Sequence, residues 1–288
     1  MTDDPATPET VRIECPGEVT IVADHWPGQR TPVVLAHGGG QTRHSWGGTA
    51  AALSARGHRV VSIDLRGHGD STWAPDRDYS MSAYRDDAVA IAEWVDEPLV
   101  WVGASLGGMT GLHAADSAPR RFAGLVLVDI TPRPAKQGVE RILAFMNDKA
   151  VEGFASVEEA ADAIAEYQPH RPRPSDLSGL RKNLRLGEDG RWRWHWDPAF
   201  LDQRTGGTSE HARGRHHAEL EAMARRLTIP TLLVRGKLSD LVTEDEVAAF
   251  REMVPHAEYV DVADAAHMIA GDRNDVFTDA VLAFLDRH

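Results

Sequence analysis

The feature that most constrains the fold is an alternation. Over the first 130 residues, short runs rich in Val, Leu and Ile recur between longer stretches of helical periodicity. Strands are predicted at 11–14, 19–25, 32–37, 59–65, 99–104 and 124–129. Most of these runs are apolar at consecutive positions. A strand with one wet face would alternate instead, so they read as central strands covered on both sides. Between them, Met81, Tyr84, Ala88, Ile91 and Val95 recur at the spacing of one helix face. Strand, helix and strand in succession predict an α/β fold with a mostly parallel sheet and helices on both faces.

After Asp129 this grammar lapses. Residues 131–227 hold prolines, charges and short helical patterns at 139–150, 157–168 and 217–227, with no long buried strand. It then resumes with a strand at 230–235, a helix at 243–253, a strand at 258–262 and a final helix in which Phe277, Val281, Phe284 and Leu285 share a face. The expected organisation is one core, 1–130 and 228–288, carrying a helical insertion at 131–227. No internal repeat is present.

Charge narrows the functional classes. The chain has 31 basic and 44 acidic side chains, a net charge of −13, and no concentrated run of Lys and Arg. Phosphate backbones are bound by clustered positive charge, so nucleic acid is not an expected partner. The acidic start MTDDPATPET is unlike a secretory signal, and no run of eighteen apolar residues marks a membrane span. The single cysteine, Cys15, can form neither an intrachain disulfide nor a thiolate zinc site. A cytoplasmic protein is expected.

The segment richest in chemistry is Val-Gly-Ala-Ser-Leu-Gly-Gly, 102–108, which follows a predicted strand and opens a helix. Gly103 and Gly107 flank Ser105 as G-x-S-x-G, a pattern in which a sharp strand-to-helix turn leaves no room for side chains two residues from the nucleophile. The turn also places Ser105 at a helix N-terminus, where free N–H groups favour developing negative charge. A serine nucleophile needs a base. Of 14 histidines, His267 is the one in a loop after the last strand, at the same carboxyl edge of the sheet. Two carboxylates compete to orient it. Asp240 follows the strand at 230–235 in the chain order nucleophile, acid, histidine and is favoured; Asp129, ending the strand before the insertion, is the alternative. The tetrahedral oxyanion needs donors, and the Gly39 and Leu106 N–H groups are the expected pair. Gln41, His44 and Trp46 on the loop after Gly40 are candidate pocket residues.

These residues together resemble the α/β-hydrolase superfamily. The resemblance runs over His37-Gly38, the segment Asp64-Leu65-Arg66-Gly67-His68-Gly69-Asp70-Ser71, the Ser105 turn, Asp240 and His267-Met268. It covers 32–129 and 228–288, a little over half the chain, and is specific for the fold rather than the substrate. It implies that 131–227 is a cap over the active site and that Arg66, Gly67 and His68 are structural. The D-x-R-G-H-G-x-S segment is similar to the epoxide-hydrolase-like branch, but dehalogenases and epoxide hydrolases of this layout attack with an aspartate, and position 105 is serine. The triple glycine is similar to hormone-sensitive-lipase-like esterases, yet the elbow here is Gly-Ala-Ser-Leu-Gly.

Within the insertion, Trp192, Trp194 and Trp196 alternate, so an extended segment would place the three indoles on one face. Trp194 is therefore a further candidate lining residue, with packing of the cap as the competing role. His211 and His216-His217 lack a third ligand in metal spacing and are expected to face solvent. The expected activity is hydrolysis of a carboxylic ester, lactone or thioester through an acyl-enzyme, with a small-molecule substrate and no metal or cofactor. Cofactor-free perhydrolysis of the haloperoxidase type and C–C bond hydrolysis would use the same three residues. A binding protein or scaffold that keeps the fold is the non-enzyme alternative.

Overall fold

The computed structural model of the chain describes residues 7–168, 173, 175–205, 210–263, 265–267 and 274–288, without the side chains of 203–205 and 210–216. The strands are β1 (Glu9–Cys15), β2 (Val19–Trp26), β3 (Arg30–Ala36), β4 (His58–Ile63), β5 (Leu99–Ala104), β6 (Phe122–Val128), β7 (Leu184–Leu186), β8 (Trp192–Trp194), β9 (Thr231–Gly236) and β10 (Glu258–Val262). Eight form one sheet in the order β1-β2-β4-β3-β5-β6-β9-β10, antiparallel at the β1–β2 and β2–β4 pairs and parallel thereafter. The sequence reading of a mostly parallel α/β sheet describes this architecture.

The central strands bury both faces because both faces are covered. On β5, Leu99 and Trp101 pack with α2 (Met81–Val95) and α3 (Leu106–Ser117), while Val100 and Val102 join a separate cluster under α1 (Gly47–Ala55) and the C-terminal helix. β3 and β6 divide their side chains in the same way. The helix predicted from Met81 to Val95 is α2; Ser80 caps it by accepting the Ala83 N–H, and Asp96 ends it at φ 60°.

Between β6 and β9 lie α4 (Lys136–Asn147), α5 (Val157–Tyr167), the single turn α6 (Ser178–Arg181), the β7–β8 hairpin, α7 (Ala199–Thr205) and α8 (Glu210–Arg226). The sequence reading missed the hairpin, which is only three residues a side and pairs Leu186 with Trp192 and Leu184 with Trp194. Trp192 and Trp194 are extended there, while Trp196 lies beyond the strand and bridges His68. α9 (Glu244–Met253), capped by a reciprocal Thr243–Glu246 box, precedes β10, and α10 (Thr278–Leu285) ends the fold. Among the described residues no helix is long and apolar enough to cross a membrane.

A buried ion pair fixes the loop after β4. Arg66 Nε and Nη2 each donate at 2.6 Å to the two oxygens of Asp87 on α2, and both side chains are almost wholly buried. Removing one partner would strand the other charge in the core. Asp87→Ala is expected to cost about 3–5 kcal/mol of unfolding free energy. In urea titrations the paired change Arg66→Met with Asp87→Leu should cost markedly less, and equal losses would show that charge isolation is not the cause.

Candidate functional site

Six parallel strands end on one edge of the sheet, and the candidate residues stand in the loops that follow them. At the end of β5, Ser105 adopts φ 46° and ψ −111°, a conformation that costs a non-glycine residue about 1–3 kcal/mol. Its N–H donates to Val128 O at 3.1 Å, and its carbonyl accepts from Met109 N–H in the first turn of α3. The turn is tight because its neighbours are glycine. A Cβ on Gly107 would sit 2.5 Å from Ala36 O and 2.7 Å from His37 O, inside the backbone of β3.

The loop after β3 lies against this turn: a Cβ on Gly38 would be 3.5 Å from Ser105 Cβ. Most of its polar groups are committed. Gly38 N–H donates to Gln41 Oε1 at 2.9 Å, Gln41 N–H to Gly38 O, and Gly40 N–H to His68 Nε2 at 3.2 Å. Gly39 N–H has no acceptor among the described residues, and neither does Leu106 N–H at the start of α3. These are the two donors expected for an oxyanion.

Two buried histidines hold that loop, and their partners fix their tautomers. His37 Nε2 accepts Leu65 N–H at 3.0 Å, so its proton lies on Nδ1, which donates to Gly38 O at 2.7 Å. His68 Nε2 accepts from Gly40, so His68 Nδ1 donates to Arg66 O at 3.0 Å. Both work as neutral rings. Complete burial pushes His37 down to about 4.

His267 Nδ1 lies 2.8 Å from Asp129 Oδ2, with both residues buried. A carboxylate only accepts, so Nδ1 carries the proton and Nε2 is left with a free lone pair. Asp129 also receives Gly236 N–H on Oδ1 at 3.1 Å and Ser239 Oγ–H on Oδ2 at 2.7 Å. No hydrogen bond joins Ser105 Oγ to His267 among the described residues, a separation common before substrate draws such pairs together.

This corrects the favoured acid. Asp240 points out of the loop after β9, and its carboxylate is partly exposed and paired with Arg141 Nη1 at 3.0 Å. Its neighbour Ser239 turns inward instead, and the histidine is reached from β6 by Asp129. Two pocket expectations also need correction. Trp46 is fully buried in the core beside α1 and α10, because the turn at 43–46 folds its indole under the sheet. Gln41 is a buried strut that holds Gly38 and pairs with Asn274. His44 faces Asp24 at 3.9 Å, and burial holds it below the usual histidine range.

Trp194 is buried between Phe154, edge-on at 5.1 Å, and Phe145, with its Nε1 unpartnered. The side chains of His211 and His216, and Met268, lie outside the described residues. The segment between β6 and β9 touches the site in ways the sequence reading missed. A Cβ on Gly39 would lie 3.3 Å from Phe200 Cζ and 3.8 Å from Met146 Cε. Gln168 Nε2 donates to the main-chain carbonyl of His267 at 3.0 Å. Asp197 N–H donates to Gly67 O and Gly69 N–H to His195 O, tying the loop after β8 to the one after β4. The Asp197-Pro198 pair before α7 was a legible helix start that would have placed Phe200 in the first turn; nothing in the sequence marked Gln168.

A family model described as an alpha/beta hydrolase fold matches residues 31–273. An esterase of Mycobacterium tuberculosis, Rv0045c, is 30% identical over 287 residues, spanning 97% of this chain and 90% of the relative. The 3-hydroxybutyrate-oligomer hydrolase of Cupriavidus necator is 30% identical over 91% of this chain and 92% of its own. Among solved structures, E-2-(acetamidomethylene)succinate hydrolase superposes with a TM-score of 0.81 at 23% identity, covering 97% of this chain and 99% of the other. A crystal structure of the M. tuberculosis esterase superposes at 0.71 with 28% identity, covering 98% and 92%.

The neutral state of His37 carries a pH consequence. Its proton affinity is lower folded than unfolded, so between its unfolded value near 6.5 and about 4 the unfolded chain binds a proton that the folded one does not. Stability is complete above the upper limit and falls as pH drops through this window, by roughly 3 kcal/mol in all. Denaturant unfolding should show a smaller acid loss in His37→Gln than in wild type; equal losses would assign the effect to other groups.

Proposed function

The chain belongs to the α/β-hydrolase fold family, and within it we propose a serine hydrolase that cleaves carboxylic esters through an acyl-enzyme. The observation that carries this reading is the 2.8 Å pair of His267 Nδ1 and Asp129, on the same sheet edge as a strained Ser105. The esterase and hydrolase named above support ester cleavage as the activity.

Ser105 Oγ attacks the carbonyl carbon while its proton passes to His267 Nε2. Asp129 keeps the imidazole in the tautomer that can accept and stabilises the imidazolium that results. The carbonyl oxygen becomes an oxyanion between the Gly39 and Leu106 N–H groups, each such donor being worth a factor of about 100–1,000 in rate. The tetrahedral adduct collapses, the C–O bond breaks, and the alkoxide takes the proton from Nε2. Water then attacks the acyl-enzyme by the same route, releasing the acid and restoring Ser105.

The insertion at 131–227 acts as the cap of this site. Phe200 and Met146 form an apolar wall beside Gly39, so the portion of substrate passing the oxyanion position is uncharged. Gln168 joins the cap to the histidine loop. Thioesters and lactones present the same carbonyl and fall within the reaction class.

An ester panel assayed with carboxamide variants of the two aspartates tests the assignment. Asp129→Asn should lower kcat by about 10⁴, as loss of the orienting carboxylate does in a serine triad. Asp240→Asn should stay within a few-fold of wild type. The reverse order would restore Asp240 as the acid and overturn the reading of the geometry.

A further inference from the structure

We infer that Ser239 is a positioning residue for this site, fixing the Asp129 carboxylate against His267 and moderating its pull on the imidazole. The inference rests on the reading of Ser105, His267 and Asp129 as the reacting set. Ser239 lies in the turn after β9 and is buried. Its Oγ is 2.7 Å from Asp129 Oδ2, the oxygen that also receives His267 Nδ1 at 2.8 Å.

The direction of the hydroxyl proton follows from its other partners. The N–H groups of Leu241 and Val242 approach Oγ at 3.1 Å and 3.2 Å, and they can only donate. They occupy the lone pairs of Oγ, leaving its single O–H for Asp129. Gly236 N–H holds the other carboxylate oxygen at 3.1 Å. The carboxylate is therefore pinned at both oxygens by the end of β9 and the loop after it, and it cannot rotate away from His267 without breaking one of these bonds.

A second donor on Oδ2 also shares negative charge that would otherwise act on the ring alone. Without it, Oδ2 accepts more strongly, the imidazolium is better stabilised, and the neutral base forms only at higher pH. Two ion pairs stand on the surrounding elements. Asp240 meets Arg141 of α4 at 3.0 Å, and Arg235 of β9 meets Asp261 of β10 at 3.5 Å. The Ser239 hydroxyl is the side-chain donor that touches the carboxylate directly from this loop.

The test compares Ser239→Ala and Ser239→Thr with wild type in steady-state ester hydrolysis across the pH range. Ser239→Ala should lower kcat several-fold with little change in KM. It should also move the acidic limb of the rate profile to higher pH by about half a unit or more, the equivalent of one lost hydrogen bond. Ser239→Thr, which keeps the hydroxyl, should restore the wild-type limb. An unmoved limb in Ser239→Ala, even with reduced rate, would overturn the inference, because a loosened loop alone does not change the proton affinity of the base. If Ser239→Ala fails to fold, Ser239→Cys supplies a weaker donor and should move the limb the same way by less; a Cys profile that superimposes on wild type would overturn it equally. Turnover that survives Ser105→Ala would instead remove the underlying reading, a result separable from any effect at position 239.

Discussion

The carboxylate of Asp129 holds three separate parts of the chain at one point. It follows β6, accepts Gly236 N–H from the end of β9 and Ser239 O–H from the loop beyond, and accepts His267 Nδ1–H from the loop after β10. A buried ionised carboxylate is costly unless hydrogen-bonded, and charge-assisted bonds of this kind contribute about 1.5–3 kcal/mol each. Burial and satisfaction thus require each other. The same contacts that make the charge tolerable fix the histidine ring, so local stability and the geometry of the imidazole have one physical origin. The backbone at Asp129 reflects this demand, with φ 51° turning the chain sharply out of β6.

A second set of constraints works through neutral groups. The glycine loop after β3 is tied by His68 and by Gln41, and His37 anchors the chain at its start. With the N–H groups on either side of it committed, the Gly39 N–H is held in place without an acceptor among the described residues. Charged rings at His37 and His68 could not accept from Leu65 and Gly40, so the loop depends on both remaining neutral. The strain at Ser105 is likewise held by its surroundings. The glycines at 103 and 107 permit the close approach of strand and helix, and the burial of β3, β5 and β6 on both faces keeps the turn from relaxing.

Much of this was legible in the letters. Runs of consecutive apolar residues identify buried parallel strands because no other common setting covers both faces of a strand, and the places of Ser105 and His267 in loops at strand ends could be read in the same way. The carboxylate that meets His267 was misread for a physical reason. Asp129 and Asp240 both follow strands, and chain order favours the second; which carboxylate turns inward depends on the backbone at φ 51° and on a turn that directs Ser239 toward the core and Asp240 toward Arg141. Loop composition equally fails to reveal burial. Trp46 and Gln41 sit in a segment that reads as a pocket rim, yet one fills the core and the other braces Gly38. Contacts such as Phe200 with Gly39 join residues 161 positions apart, which no local pattern encodes.

The central claim is that the fold activates the hydroxyl of Ser105 through His267. Intact-protein mass after incubation with a fluorophosphonate reads this chemistry without a known substrate. A single covalent adduct on wild type, absent from Ser105→Ala and strongly slowed in His267→Ala, is the predicted result. An adduct that persists on Ser105→Ala, or that forms equally fast without the histidine, would contradict it.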